Sequence, residues 1–239
     1  MALPKLETPK HSCVLPITKQ TVFFRPFLVG EQKVLLQAQE SEDQQLVARE
    51  TIRLLEHCVD DVKVNKLPTG DVEYLFLQLR IKSIGETSDV VLICQDKECS
   101  ADVSTTIDLE SAQLIEPEEE VSPIVELTPE ISMEFILPNF ELVNKMTKPD
   151  DEKMTAQQMF QIISGCVVSI IHGEEVHSRE DFSDKELTEF MDSMSSHMLS
   201  NIQEFFAAVP KMVIDTKYKC KVCERDNDMR LEGIQNFFA

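Results

Sequence analysis

Two cysteine pairs constrain this chain more than any other feature of its sequence. Cys94-x4-Cys99 follows the β-branched apolar run Asp89–Ile93 and precedes a second extended run, Val103–Ile107. Cys220-x2-Cys223 follows the extended stretch Ile214–Lys219 and precedes Asp228–Leu231. Each pair therefore reads as the tip of a β-hairpin. Downstream, Leu109-Glu-Ser-Ala-Gln113 after the first pair echoes Leu231-Glu-Gly-Ile-Gln235 after the second, which suggests a repeated strand, two-cysteine turn, strand and short helix. Zinc favours four thiolates in a tetrahedron, and two such turns facing each other supply them. Cys94, Cys99, Cys220 and Cys223 are thus the candidate ligands of a structural Zn2+, with no coordination position left open for catalysis. Unpaired structural thiols or a redox pair are the alternatives. A zinc here would add on the order of 10 kcal/mol or more to folding and is expected to close the two halves of the chain onto each other. Cys13, Cys58 and Cys166 sit in apolar contexts and read as small buried hydrophobes.

Charge narrows the function. The chain has 43 Asp and Glu against 23 Lys and Arg, a net −20 over 239 residues. Such a surface repels phosphate backbones and anionic membranes. With only six glycines, no spacing matches a phosphate-cradling loop or a nucleophile elbow. Lys97, Lys217, Lys219, Lys221 and Arg225 bracket the cysteine pairs, where they would offset the charge of four thiolates. The same cations leave a second reading open, a zinc-ribbon regulator that touches nucleic acid or RNA polymerase.

The N-terminal residues carry Pro4 and Pro9 without an apolar core, so no signal peptide is expected. The most apolar stretch, Phe160–Ile171, is too short to cross a membrane. A soluble protein made in a cytoplasm follows, its seven cysteines kept as thiols or metal ligands.

Along the chain, residues 1–88 read as an N-terminal hairpin (Cys13–Pro16 with Thr21–Phe24) plus helices. A helical pattern runs from Glu31 to Gln39, and Ser41 with Gln44 forms a capping box for a second helix. Val72–Ile84 is apolar on both sides and is expected at the centre of its domain. Residues 89–115 form the first cysteine knuckle, and 116–139 an acidic connection and strand in which Ile131, Met133, Phe135 and Leu137 alternate. Residues 140–210 read as a helical domain. Its first helix, capped by Thr155 and Gln158, runs through Phe160, Ile163, Val167, Ile170 and Ile171. A second capping box, Ser183 with Glu186, opens a helix that Ser195-Ser196 splits in two. Residues 211–239 form the second knuckle and a C-terminal helix. The fold class expected is α+β, mostly helical, with a small N-terminal β-hairpin and a zinc-ribbon-like pair of β-hairpin knuckles.

No nucleophile, base and orienting group fall into a catalytic pattern. His172-Gly-Glu-Glu-Val-His177 reads as a polar turn between helices, since histidines five apart do not share a helix face. A metallohydrolase using them is a minor alternative. Met191, Met194 and Met198 share a helical stripe with Phe190, Phe205 and Phe206, either as core or as an adaptable partner groove. The chain reads as a binding or assembly protein and not an enzyme.

Several stretches also carry a resemblance: Leu3–Pro9, Arg25–Val29 with Glu31–Leu36, Val72–Glu86, Gly173–His177, Phe205-Phe206 with Pro210-Lys211, and Leu231–Phe238. Together they resemble the baseplate hub subunit or hub assembly protein family of T-even-type myovirus bacteriophages. The resemblance implies a non-enzymatic structural or chaperone-like protein. It would help build the hub of a contractile tail by protein–protein contact with other hub and tail proteins. It implies the host cytoplasm during assembly, or the virion's tail baseplate, as its location, with no small-molecule substrate; the acidic charge and the short apolar stretch already speak against a nucleic-acid or membrane partner. Members of the family often carry CxxC at both knuckles with a glycine after the second. Here the first pair is widened, and Glu224 stands in the glycine's place.

Overall fold

The computed structural model describes residues 7–41, 43–117, 122–146 and 155–233. In chain order the elements begin with β1 (His11–Val14), β2 (Thr21–Phe24), α1 (Val29–Glu40), α2 (Gln44–Cys58), α3 (Thr69–Ser83), β3 (Thr87–Ile93), β4 (Asp102–Asp108) and β5 (Gln113–Ile115). Next come β6 (Ile124–Glu126), β7 (Ile131–Phe135), α4 (Phe140–Met146), α5 (Ala156–Cys166), β8 (Val167–His172), β9 (Glu175–Ser178), α6 (Asp184–Asp192) and α7 (Ser196–Ala207). The last two are β10 (Lys211–Lys219) and β11 (Asp226–Glu232). The chain divides into two units. The first joins Met1–Ile115 to Lys211–Ala239, and the second is the intervening Glu116–Pro210.

The expectation of a mostly helical chain with a small hairpin is overturned. Among the described residues, seven α-helices share the chain with eleven strands in four sheets. Most of the unexpected strand lies in the second unit. There β6, β7, β8 and β9 form an antiparallel sheet in that order. The run Val167–Ile171 caused the error. Its apolar residues fit helical spacing when counted on from Phe160, but four of its five side chains are β-branched and pack better on a pleated surface. The helix accordingly stops at Cys166, and the chain pairs with β7, matching Met133 to Ile170 and Ile131 to His172. Met133 and Phe135 are buried as the alternation required. They pack with Ile163, Leu187, Met191 and Ile202 in one core. Met194, Met198, Phe190 and Phe206 lie against that core, so the methionine stripe is mainly packing. Thr155, Ser183 and Ser195 cap α5, α6 and α7.

In the first unit α3 is enclosed, with Val72, Leu75, Phe76, Leu77, Leu79 and Ile81 all buried. Two charged residues are buried with it, and each is bonded, as buried polar groups must be. Asp71 accepts from the Ile17 and Thr18 amides at 2.8 and 2.9 Å, tying the turn after β1 to the helix. Arg80 donates to Ser88 Oγ at 2.8 Å, linking α3 to β3. The cap of α2 is Asp43, which accepts from the Gln45 and Leu46 amides, while Ser41 ends α1. An aspartate in extended backbone one residue before the helix outcompetes the more distant serine. β1 and β2 pair as the expected hairpin. β10 lies between β11 and β5 in one sheet, and β3 pairs with β4 in another. The short helix expected from Leu231 is not found over its described part, since Leu231 and Glu232 close β11 instead; residues 234–239, and 118–121 of the acidic connection, lie outside the described residues.

Candidate metal centre

Both cysteine pairs sit at hairpin tips, and the two hairpins are built alike. β3 and β4 pair from Thr87–Asp108 to Ile93–Asp102, and the Cys94 amide then closes the tip on Ala101 O at 2.9 Å. β10 and β11 pair as far as Lys219–Asp226, and the Cys220 amide closes on Arg225 O, also at 2.9 Å. In each tip the first cysteine is the closing residue and the second lies two residues before its partner. The two extra residues of Cys94-x4-Cys99 fall between the ligands. They are absorbed by a turn in which Asp96 O accepts from the Cys99 amide at 3.0 Å and Asp96 Oδ1 from the Glu98 amide at 3.0 Å. The widened spacing therefore leaves both cysteines where a tight knuckle puts them. Counted from the second cysteine, β4 and β11 begin at the same offset and share one burial pattern. This register aligns Ile107 with Leu231, two residues away from the Leu109–Leu231 echo read in the sequence.

The four sulfurs converge, all within 4.8 Å of one another. Cys94 Sγ is 3.6 Å from Cys223 Sγ, and Cys99 Sγ is 3.8 Å from Cys220 Sγ. A regular tetrahedron with arms of about 2.3 Å has edges of about 3.8 Å, so the donor set fits a zinc-sized, thiolate-loving cation. Cys94 and Cys220 are buried, Cys99 is half-buried and Cys223 is exposed. All four belong to the first unit, so the expectation that they close the two halves onto each other is corrected. They join two hairpins of one unit.

The local field favours an anion at one sulfur. Amides of Cys223 and Val222 point at Cys220 Sγ and hold its thiol down to about 7. At Cys94 the Asp96 amide pulls the same way, but burial and hydrogen bonds with the Cys223 and Cys220 sulfurs prevail and raise it. At Cys99 the Ala101 amide is likewise outweighed, by burial and by the same two sulfurs, and the thiol is pushed up to about 12. Four sulfurs this close carry four negative charges only with a cation among them.

Two residues that the sequence did not single out hold the knuckles together. Asn227 is buried, at 2% exposure. Its Oδ1 accepts from the Gln95 amide at 3.0 Å, and its Nδ2 donates to Arg225 O at 3.0 Å and to Tyr218 O at 3.5 Å. Tyr218 Oη donates to Ile93 O at 2.7 Å, joining β10 to the end of β3. Ser100 and Glu224, each directly after a second cysteine, have φ of 42° and 60°. That is the left-handed conformation a glycine adopts without strain.

The cations that bracket the cysteine pairs are balanced locally. Lys97, Lys217, Lys219, Lys221 and Arg225 are matched in number by Asp96, Glu98, Glu224, Asp226 and Asp228. Lys217 lies 4.0 Å from Asp228, and Arg225 3.4 Å from Asp96. No net positive surface is left for a phosphate backbone, and the nucleic-acid or polymerase reading finds no support. The remaining cysteines split: Cys58 and Cys166 are buried, Cys13 half-buried. His172 and His177 lie on the β8–β9 hairpin rather than between helices, with Gly173 at φ 60° in its turn. They have Glu130 and Glu175 as neighbours, each 3.9 Å away. Among the described residues, the four cysteines are the one group of three or more metal-ligating side chains.

What the fold and the site define is an acidic, two-unit α+β protein whose first unit holds a tetrathiol double knuckle. The chain belongs to a family of phage structural proteins, described as T4 bacteriophage base plate protein, whose model matches residues 8–239. That membership associates it with the baseplate of the phage tail and with the proteins assembled there. Curated proteins and solved structures contain no match to it. Among the described residues no helix is long and apolar enough to cross a membrane.

Proposed function

We propose that this protein is a structural or chaperone-like component of baseplate hub assembly, acting by protein–protein contact and without catalysis. The observation that carries the reading is the family match over residues 8–239. The hub itself is suggested by the sequence stretches quoted above, which are spread over nearly the whole chain. Assembly would take place in the host cytoplasm, before or as the tail is completed. Tagged protein purified from infected cells should bring down hub or tail proteins, and its failure to do so would sink the hub reading. Proteomics of purified particles then separates the two versions: a hub component is present in the virion, a departing assembly factor is not.

We also propose that Cys94, Cys99, Cys220 and Cys223 hold one structural Zn2+. The support is the 3.6 and 3.8 Å sulfur separations and the amides aimed at Cys220. The ion would cross-link the β3–β4 tip to the β10–β11 tip and stabilise the first unit, by on the order of 10 kcal/mol in the best-studied small zinc sites. Elemental analysis should find one equivalent of zinc in the purified protein and none in Cys220→Ser. Cys13→Ser, outside the cluster, should keep its zinc. Absence of metal from the unmodified protein would end the proposal.

A further inference from the structure

The second unit carries most of the protein's net negative charge. Residues 116–210 contain 20 Asp and Glu against 5 Lys and Arg, a net −15 out of the total −20. The same unit holds a pocket of about 310 Å³ where β7, β8 and β9 meet α6 and the turn before it. Its apolar walls are Ile131, Ile170, Phe182, Leu187 and Phe190. Its polar lining consists of His172, His177, Asp181 and Glu186. The volume is at the lower end of the range for ligand pockets, about 300–1,000 Å³. It suits one or two bulky side chains better than a cofactor.

The acidic groups at this pocket are fixed in place. Asp181 Oδ2 accepts from the Ser178 amide at 2.7 Å. Glu186 accepts from the Ser183 amide and hydroxyl, both at 2.8 Å. Those bonds hold the Glu186 carboxyl below its ordinary range, so it stays ionised. Glu130 and Glu175 extend the negative rim beside His172 and His177. Of the cations nearby, Arg179 lies over the Phe182 ring at 5.3 Å and is paired with Asp184, and Lys185 lies 3.5 Å from Glu189. An apolar floor inside a fixed acidic rim, on a unit with a strongly negative field, is complementary to one kind of partner.

We propose that this pocket docks a segment of a partner protein that presents a bulky apolar side chain flanked by Lys or Arg. The apolar anchor would fill the space between Phe182, Phe190 and Ile170. The flanking cations would meet Asp181, Glu186, Glu130 and Glu175. The inference rests on the assembly reading above and adds to it the face that makes contact and the chemistry of what it contacts. Phosphate-bearing and other anionic ligands are excluded by the same field.

The test uses the full chain and a random dodecapeptide display library. Selected peptides should share a Leu, Phe or Met between basic residues, and a synthetic consensus peptide should bind in fluorescence anisotropy, more weakly as salt is raised. Glu130→Lys with Glu175→Lys changes two side chains that are 81% and 77% exposed, so folding should be preserved. It should weaken the peptide by about tenfold or more at low salt. Phe190→Ser should abolish binding, and Glu98→Lys with Glu224→Lys on the first unit should leave it unchanged. A consensus without basic residues, no consensus at all, or equal weakening by the first-unit pair would overturn the proposal. If peptides fail while the chain still co-purifies with hub proteins, the pocket assignment falls and the hub reading stands.

Discussion

Replacing Asn227 by leucine isolates what holds the two knuckles in register. Leucine is close in size, so the loss is one of hydrogen bonding. The Gln95 amide and Arg225 O lose partners at 3.0 Å, and Tyr218 O loses a weak one at 3.5 Å. A buried polar group left without a partner costs about 1–3 kcal/mol. Only the Gln95 amide is then left unpaired, because Arg225 O keeps the Cys220 amide at 2.9 Å. With about 1 kcal/mol for the second bond lost at Arg225 O, the expected loss is about 1.5–4 kcal/mol. That is a large share of the roughly 5–15 kcal/mol stability of a typical domain. Urea unfolding followed by circular dichroism should show the midpoint fall with the slope unchanged. Asn227→Asp keeps the acceptor for Gln95 but turns an oxygen towards two carbonyls and adds a negative charge beside four sulfurs. It should also be destabilising, and competition with a zinc chelator should report a metal affinity lower by about 10–100-fold. A loss below about 1 kcal/mol for the leucine variant would refute the claim that Asn227 couples the tips.

Glu224→Gly and Ser100→Gly each relieve a positive φ. A left-handed non-glycine residue costs about 1–2 kcal/mol, part of which glycine gives back in unfolded-state entropy, so each change should stabilise by about 0.5–1 kcal/mol in urea melts. Glu31 is held below its ordinary range by its hydrogen bonds to Arg25, at 2.7 and 3.0 Å, and by the Leu28 amide. A depressed carboxyl stabilises the fold above its unfolded value, 4.5, and that contribution fades as pH falls through the folded one. The stability gap between the wild type and Glu31→Gln should therefore be full near pH 7 and shrink steadily below about pH 4.5. Burial pushes the Cys58 and Cys166 thiols up to about 12, so iodoacetamide at pH 8 should leave both unmodified until the protein is unfolded, as peptide mass mapping would read.

Local signals in the sequence were legible where chemistry and geometry are neighbours in the chain. Thr155, Ser183 and Ser195 cap helices because a capping side chain serves amides two or three residues ahead. The hairpin tips were legible because the cysteines directly follow β-branched strands. Val167–Ile171 was misread because its apolar spacing satisfies a helix when joined to α5 and a strand when paired with β7, and only the partner strand decides. Asn227 was invisible for a related reason. One asparagine in the polar run Asp226–Asp228 carries no local mark, and its importance comes from Gln95, far away in sequence. The −15 of the second unit could be counted from the sequence, but its pairing with an apolar pocket depends on β7, β8 and α6 meeting in space.

The two cysteine pairs lie far apart in the sequence, and the topology explains how they meet. Ile115 at the end of β5 pairs with Lys211 at the start of β10, and the entire second unit lies between them. The chain therefore leaves the first unit and returns to it at neighbouring positions of one antiparallel ladder, where a short turn would otherwise connect two strands. For a flexible loop, the entropy of bringing its ends together rises only as the logarithm of its length. An insertion with its own buried core, here around Met133, Phe135 and Ile163, adds further stabilisation of its own. Some 120 residues between Cys99 and Cys220 thus place little burden on bringing the knuckles together. The same arrangement lets an acidic unit be added at a strand junction without interrupting the hairpin that carries Cys220 and Cys223.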